Sequence, residues 1–512
     1  MKIRKFENKN GHIIVIRDRK NPADNFSVFL SGPGFDQLKA LKKVREAIDK
    51  VITEDMSGWL MESYSVGDLR EVEYEVENLD KDRIVSFALE DFFNEGGEFV
   101  TLRAKAILFC LSRSKEGLLP SIRTGGVASG VDFFDRDPQI AQVWETVEKG
   151  SDCILRAPRR FGKTSLTLYL AMHPKTGWRV CYTDLEGERC PEDFIFSILK
   201  TMADNPDCAE CLPNELSDRN ILSLAPEAKQ ELYEQEWGNI QKNWRAYGNK
   251  LFNSMKLDKG KLIIILDEFS FLAENILKNP DSERKGLVNL LDWFEKIRKK
   301  RPEGLFFIVS GSEHLPSFLD SMGIANDLST FVPIHLEPFD SDSAHAFIFL
   351  AMAKQNISVS PEESRHILEL MGKPIPYFLQ LFLDILVEKC RAGEEISIKH
   401  MDDIYRTELL GTESKRHFES IKRQLDHYDY RDQRFSIAAT RIMTLLTMAE
   451  TVEKKTLESE WAQLTSKPEF FQSMFEIMRD DFYLEEQDGR VRLASKLLKD
   501  WWRVHMLRRH TP

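Results

Sequence analysis

The sequence predicts an α/β fold in which a parallel sheet is covered by helices on both faces. Four short apolar segments carry this prediction: residues 153–156, 179–184, 262–266 and 305–309. None of them alternates between apolar and polar residues, which is typical of strands buried on both faces of a parallel sheet. The stretches between them are long enough for the crossover helices that parallel strands require.

Length and composition fit a globular protein of several domains. The chain has 512 residues, of which 42% are hydrophobic and 30% are charged, enough to bury several cores. Its 71 Lys and Arg residues against 83 Asp and Glu residues give a net charge of −12. Such a chain is not expected to coat nucleic acid over its whole surface, although a local basic patch remains possible.

The cysteines and the apolar segments indicate a cytoplasmic protein without membrane association. Seven cysteines are scattered without the spacing of a disulfide framework. No apolar stretch reaches the length that a bilayer requires, and residues 1–10 are polar and charged.

The sequence predicts that residues 1–124 form a small separate α+β domain of unknown role. Residues 12–16 and 26–30 predict short strands, and apolar residues at helical spacing predict a helix over 35–53. This region holds no catalytic constellation, so we interpret it as a partner-binding or regulatory domain. A Gly-rich segment, 124–130, predicts a linker after it.

A phosphate-binding motif follows the first apolar strand of the sheet. Residues 157–164, Ala-Pro-Arg-Arg-Phe-Gly-Lys-Thr, match a P-loop except that Ala157 replaces its first glycine. In such a loop the lysine reaches the β- and γ-phosphates of a nucleotide and the threonine hydroxyl binds Mg²⁺. The motif therefore predicts ATP and Mg²⁺ as cofactors. The predicted cofactor-binding residues are Pro158, Arg159, Arg160, Phe161, Gly162, Lys163, Thr164, Ser165 and, at the end of a later strand, Ser310.

Two further strands end in polar residues where ligands bind in such sheets. Asp267 is placed to hold Mg²⁺ together with Thr164, and Glu268 to deprotonate an attacking water, so Glu268 and Lys163 are the predicted catalytic residues. Ser310 or Ser312 is a candidate sensor of the γ-phosphate or of the water. For both strands the alternative is the ordinary polar end of a sheet strand.

Two other features leave alternatives open. The Cys208 and Cys211 pair is either half of a zinc site or two free thiols in a helical insertion. Residues 490–510 contain seven Lys or Arg and one acid, which predicts a surface for DNA or for an acidic partner. The alternative there is a solvated helix whose Trp501 and Trp502 pack inward.

Several motifs together resemble the bacterial and archaeal family described as archaeal-type ATPases, which belongs to the AAA+ and STAND-related P-loop NTPases. The resemblance covers roughly residues 130–505, and the matching segments are 133–137, 156–166, 266–268, 310–312, 336–339 and 372–380. It implies that the helix beginning at Pro376 closes over the nucleotide. Asp135 departs from the family, which has glycine there, and Arg298 and Arg301 lie near where such proteins often carry an arginine finger.

The resemblance and the residues together predict four domains. These are the N-terminal domain 1–124, an ATPase core 125–339 with a helical insertion 188–260, a helical lid 340–433 and a winged helix 434–512.

The predicted function is an ATP-binding and ATP-hydrolysing regulatory switch, with defence or signalling as its expected context. It would act on a protein partner or on double-stranded DNA through the winged helix, with a homo-oligomer as a candidate assembly. Two alternatives remain: a DNA-binding regulator or loader with a subordinate ATPase, and a nucleotide-dependent scaffold that does not hydrolyse ATP.

Overall fold

The structure is a computed structural model. It describes residues 133–507 except 259, 280–282, 312–314, 316–318, 320–322, 325–327, 356 and 427–433, together with residues 122 and 128 and the backbone of five N-terminal strands. The chain forms two compact units, each built from separate segments. One unit comprises residues 1–135, 338–424 and 495–512, and the other comprises 136–337 and 425–494.

The N-terminal strands belong to the first unit. They are β1 (Lys2–Ile3), β2 (Gly11–Asp18), β3 (Asn25–Ser31), β4 (Trp59–Val66) and β5 (Ile84–Ala88). Four of them form a sheet in the order β4-β2-β3-β5, in which β3 and β5 are parallel and the other pairs are antiparallel. The two predicted strands, 12–16 and 26–30, lie within β2 and β3, whereas the predicted helix 35–53 lies outside the described residues.

The second unit begins with the central α/β region. Its elements are α1 (Asp137–Glu148), β6 (Cys153–Arg156), α2 (Lys163–Met172), β7 (Trp178–Asp184), α3 (Pro191–Asp204), α4 (Pro206–Ala209), α5 (Asn214–Ser217), a 3-10 turn (Ile221–Ser223), α6 (Pro226–Lys242), α7 (Trp244–Asn253), β8 (Lys261–Asp267), α8 (Phe269–Lys278), α9 (Glu283–Lys300), β9 (Leu305–Gly311), a 3-10 turn (Leu328–Thr330) and β10 (Val332–His335).

The strands of this region form one parallel sheet in the order β10-β6-β9-β8-β7, with helices on both faces. The four predicted strands are confirmed. The fifth strand, β10, was not predicted because it is a four-residue edge strand that contains Pro333 and is only partly buried. Since all five strands are parallel, their carboxyl ends meet at one edge, which is where the predicted site residues lie.

Buried aliphatic and aromatic side chains hold the helices against this sheet. All five residues from Leu262 to Leu266 are buried. The rings of Phe294 and Phe307 meet edge to face with centroids 5.1 Å apart, and the ring of Phe194 packs against Phe269 and Trp293. This packing fixes β8 and β9 side by side.

The remaining helices divide between the two units. The first unit contains α10 (Ser341–Lys354), β11 (Ile357–Ser358), α11 (Pro361–Met371), α12 (Pro376–Arg391), α13 (Ile398–Ile404), a π-helical turn (Tyr405–Leu409) and α14 (Lys415–Asp426). The second unit continues with α15 (Phe435–Met448), β12 (Val452–Glu453), α16 (Lys454–Leu464), a 3-10 turn (Pro468–Phe470), α17 (Phe471–Asp480), β13 (Leu484–Gln487) and β14 (Arg490–Leu493). In the first unit, β11 pairs antiparallel with β1.

The final helix, α18 (Lys496–His505), belongs to the first unit. Its Trp501 ring stacks on Phe418 of α14 with centroids 5.4 Å apart, and the Lys496 ammonium donates to the carbonyl of Leu370 at 3.2 Å. In the second unit, β12, β14 and β13 form a small antiparallel sheet beside α15, α16 and α17.

Candidate active site

The loop between β6 and α2 has the backbone of an anion-binding loop. Gly162 has a φ of +96° and Arg160 a φ of +73°, so the chain turns through the left-handed region twice within three residues. A Cβ at Gly162 would meet nothing within 4 Å, so the backbone conformation and not crowding favours glycine there. The loop leads directly into α2, whose N-terminal end carries the partial positive charge that attracts phosphate.

Arg136 ties this loop to the neighbouring strand connection. Its buried guanidinium donates to the carbonyl of Phe161 at 3.2 Å and to the carbonyl of Glu337, just after β10, at 3.0 Å. The preceding residue, Asp135, has a φ of +51°, which lies in the left-handed region where glycine is favoured. Sequence reasoning missed Arg136 as an anchor of the loop.

Lys163 lies buried at the first position of α2, with 7% of its surface exposed. Its ammonium donates to the carbonyl oxygens of Ala157 at 2.7 Å and Pro158 at 3.3 Å. Burial lowers its pKa, while the nearby carboxylates of Glu268 and Asp267 act in the opposite direction. The ammonium is thus held within the loop by neutral acceptors that phosphate oxygens can replace.

Asp267, the last residue of β8, is completely buried. The hydroxyl of Ser310 donates to Oδ1, the hydroxyl of Tyr182 donates to Oδ2 at 2.8 Å, and Thr167 Oγ1 lies 3.5 Å from Oδ2. Among the described residues, no Lys, Arg or His lies within ion-pair distance of this carboxylate. A buried carboxylate surrounded by hydroxyl oxygens, with Thr164 on α2, matches the oxygen donors that Mg²⁺ prefers.

Glu268 follows Asp267 and caps the N-terminus of α8 with a φ of +54°. A non-glycine residue in the left-handed region costs free energy, and such residues cluster at functional sites. Burial raises the pKa of Glu268, Lys163 lowers it, and Asp267 raises it again. Next to this turn, Gly311 permits close packing, because a Cβ there would lie 3.3 Å from the backbone nitrogen of Ser270.

The structure brings most of the predicted site residues to the carboxyl edge of the sheet. Residues 158–165 form the loop and the start of α2, and residues 267, 268 and 310 end the two strands beside it. The Arg159 guanidinium lies 4.9 Å from the ring centroid of Phe271. Ser312 lies outside the described residues.

Arg298 and Arg301 do not belong to this site. Both pair with Asp152, which precedes β6 at the opposite, amino edge of the sheet; Arg298 Nε lies 2.8 Å from Asp152 Oδ2. Each guanidinium also covers an aromatic ring, Phe331 or Phe306. These contacts give both side chains a structural role at the amino edge of the sheet.

The described residues give no support to the hypothesis that Cys208 and Cys211 bind zinc. Both side chains are free thiols buried in the core of the helical insertion, and Cys181 lies beside Cys208. Across the described part of the chain, no group of three or more His, Cys, Asp or Glu side chains is placed to hold a metal ion.

The basic end of the chain is partly neutralised by its own acids. Arg492 pairs with Glu485 at 2.9 Å, and Lys496 and Arg503 both pair with Asp500. Trp501 and Trp502 are buried, so neither is an exposed anchor for a partner. Arg508 and Arg509 lie outside the described residues.

Sequence reasoning also missed a contact between the phosphate loop and the turn after α17. The Phe482 ring meets the Phe161 ring edge to face with centroids 5.1 Å apart. Asp481 beside it is only 6% exposed, and its negative charge acts on Lys163. No signal in the sequence joins these segments, because they are more than 300 positions apart.

Comparisons with known proteins give structural matches only. No family model and no curated protein matches the chain. Among solved structures, the Walker-type ATPase PABY2304 of Pyrococcus abyssi is 18% identical over 75% of this chain and 99% of that chain, with a TM-score of 0.49. The Aeropyrum pernix ORC2 protein is 12% identical over 70% of this chain and 88% of its own, with a TM-score of 0.39. The Thermotoga maritima RuvB Holliday junction branch migration motor is 12% identical over 71% of this chain and 94% of its own, with a TM-score of 0.33.

Within the described ranges, no helix is both long and apolar enough to cross a bilayer.

Proposed function

We propose that this chain is a Mg²⁺-dependent P-loop ATPase that acts as a regulatory switch. One observation carries the proposal. The loop between β6 and α2, which contains two residues in the left-handed region, and its buried Lys163 lie together with the carboxylates of Asp267 and Glu268 at one edge of a parallel sheet. Phosphoryl transfer needs this combination, because catalysis there is mainly positioning and charge stabilisation.

Each residue has a role that its present contacts allow. The loop amides and Lys163 bind the β- and γ-phosphates, with the Lys163 ammonium leaving the carbonyls of Ala157 and Pro158. Thr164 and Asp267 would hold Mg²⁺, which when bound would neutralise charge on the phosphate oxygens. Glu268 accepts the proton of the attacking water. Its pKa is raised above the ordinary value, which brings it closer to the pKa of an effective general base.

The switch part of the proposal rests on what touches the loop. Helices α15–α17 and their small sheet lie in the same compact unit as the loop, and Phe482 contacts Phe161 directly. Three helices and a short antiparallel hairpin in this order support the reading of a winged helix. A change in the loop on ATP binding would therefore reach this region, which would present a protein partner or DNA with a different surface.

Two other functions remain candidates. A DNA-binding regulator with a subordinate ATPase has support from the exposed Arg490, although Arg492 and Lys496 are already paired with carboxylates. A non-hydrolysing scaffold would keep the phosphate loop but lose turnover, and the presence of Glu268 at the site argues against it.

One experiment separates the three. ATP turnover and particle size are measured with and without double-stranded DNA, in ADP and in a non-hydrolysable ATP analogue. The switch predicts basal turnover and a size or shape that depends on the nucleotide. Turnover that requires DNA would favour the DNA-binding regulator, and tight ATP binding without turnover would favour the scaffold. No binding of ATP would overturn the proposal.

A further inference from the structure

The carboxylate of Asp267, which the proposed function assigns to Mg²⁺, is hydrogen-bonded from two sides. One of these two partners, Tyr182, has no role assigned so far. Ser310 donates to Oδ1 of Asp267 from β9, and Tyr182 donates to Oδ2 from β7. Tyr182 is opposite Ile265 in the register of β7 and β8, so it lies on the same face of the sheet as Asp267, two residues further on. The two hydroxyls together fix the rotation of the carboxylate.

The Tyr182 hydroxyl acts as a donor to this carboxylate, because a phenol carries one proton and an ionised carboxylate can only accept. Partners that orient a metal ligand commonly matter almost as much as the ligand itself.

We propose that Tyr182 is a positioning residue that aligns Asp267 for Mg²⁺ in the nucleotide site. The inference rests on the proposed function. It assigns to β7, a strand without any recognised motif, a part in metal binding.

The test compares Tyr182→Phe with Tyr233→Phe. Tyr233 is also half-buried and also donates to an aspartate, Asp204, at 2.7 Å, but it lies in the helical insertion. The readouts are Mn²⁺ affinity by electron paramagnetic resonance in the presence of ADP, ADP affinity in EDTA, and the unfolding temperature. We expect Tyr182→Phe to weaken Mn²⁺ binding by roughly tenfold or more, with metal-free ADP affinity unchanged and Tyr233→Phe like the parent.

Parent-like Mn²⁺ affinity in Tyr182→Phe would overturn the inference while leaving the ATPase proposal standing. An equal loss in both variants would also overturn it, since the effect would then be structural. Failure of the parent to bind Mn²⁺ with ADP would overturn the proposed function as well.

Discussion

The two edges of the central sheet each bury an aspartate, and they treat it in opposite ways. At the amino edge, Asp152 accepts from Arg298, from Arg301 and from the backbone N–H of Phe307 at 2.9 Å. At the carboxyl edge, Asp267 accepts from hydroxyl groups alone. The first carboxylate has its counter-charges within the fold, whereas the second has none within ion-pair distance among the described residues.

This is the difference expected between a structural ion pair and a ligand-binding site. A buried charge without a partner is costly, and proteins retain such charges where a metal or substrate supplies the missing charge. Lys163 shows the same feature with the opposite sign, because neutral carbonyls are its hydrogen-bond acceptors. Under the proposed function, the charges at the carboxyl edge serve phosphate and Mg²⁺, whereas those at the amino edge are paired within the fold.

The largest effect on stability is expected at the amino edge. Asp152→Asn leaves two partly buried arginine side chains, 9% and 16% exposed, without their counter-charge, which should lower the free energy of unfolding by about 3 kcal/mol. Denaturant unfolding measures this loss. The protein that remains folded should bind ATP like the parent, and a strong loss of ATP affinity in it would show that the two edges are not independent.

Lys163→Ala tests the carboxyl edge. The change removes the cation that contacts the phosphates, and charge-assisted hydrogen bonds of this kind contribute roughly 1.5–3 kcal/mol. ATP affinity, measured by calorimetry, should fall by about tenfold to a hundredfold or more, and stability should change little. The control is Lys149→Ala, which removes an exposed lysine paired with Glu145. Parent-like ATP binding by Lys163→Ala would refute the phosphate-loop assignment.

Arg136→Gln should have a smaller effect. It breaks the two hydrogen bonds that tie Phe161 to Glu337, so the loop loses an anchor but keeps all its phosphate-binding groups. We expect a loss of ATP affinity of a few-fold, consistent with about 1 kcal/mol for hydrogen bonds of this kind. If affinity stayed at the parent value while the loop remained protected from hydrogen exchange, Arg136 would not be an anchor.

The smallest effect on turnover is expected from the basic end. One variant replaces four cations with glutamine: Arg490, Arg492, Lys496 and Lys499. Its control replaces four exposed, ion-paired lysines elsewhere: Lys149, Lys175, Lys250 and Lys299. Basal ATP turnover should stay within about twofold of the parent, since none of these four side chains belongs to the phosphate loop or to the strand ends of the candidate site.

The same variant tests DNA contact. If the surface binds duplex DNA, binding should weaken for all sequences alike. Its salt dependence should also become shallower, because fewer phosphate contacts form and fewer counterions are therefore released on binding. Parent-like binding and salt slope in the variant would exclude DNA contact through this surface.

Features written in consecutive residues could be predicted from the sequence. The strands β6–β9 are runs of apolar residues, and the loop, Asp267, Glu268 and Ser310 follow them directly. The strand β10 was not predicted because it is short, contains Pro333 and pairs with a neighbouring strand along one side only. The roles of the site residues remain predictions until activity is measured.

Features that depend on tertiary neighbours could not be predicted. Tyr182 and Asp267 are 85 positions apart, and Arg136 and Glu337 are 201 apart. Strand register and the path of the loop bring each pair together, and no periodicity within either segment reports this. The pairing of Arg298 and Arg301 with Asp152 could not be predicted for the same reason. From the sequence alone, both were therefore noted only as lying near the position of an arginine finger.

The most direct test of the account is the comparison of binding and turnover in Glu268→Gln. The amide keeps the shape of Glu268 but cannot accept the proton of the attacking water. ATP binding should therefore stay near the parent value, while single-turnover hydrolysis should fall by roughly 10²–10⁴-fold. Parent-like hydrolysis in this variant, with ATP bound, would contradict the account, because the base would then lie elsewhere.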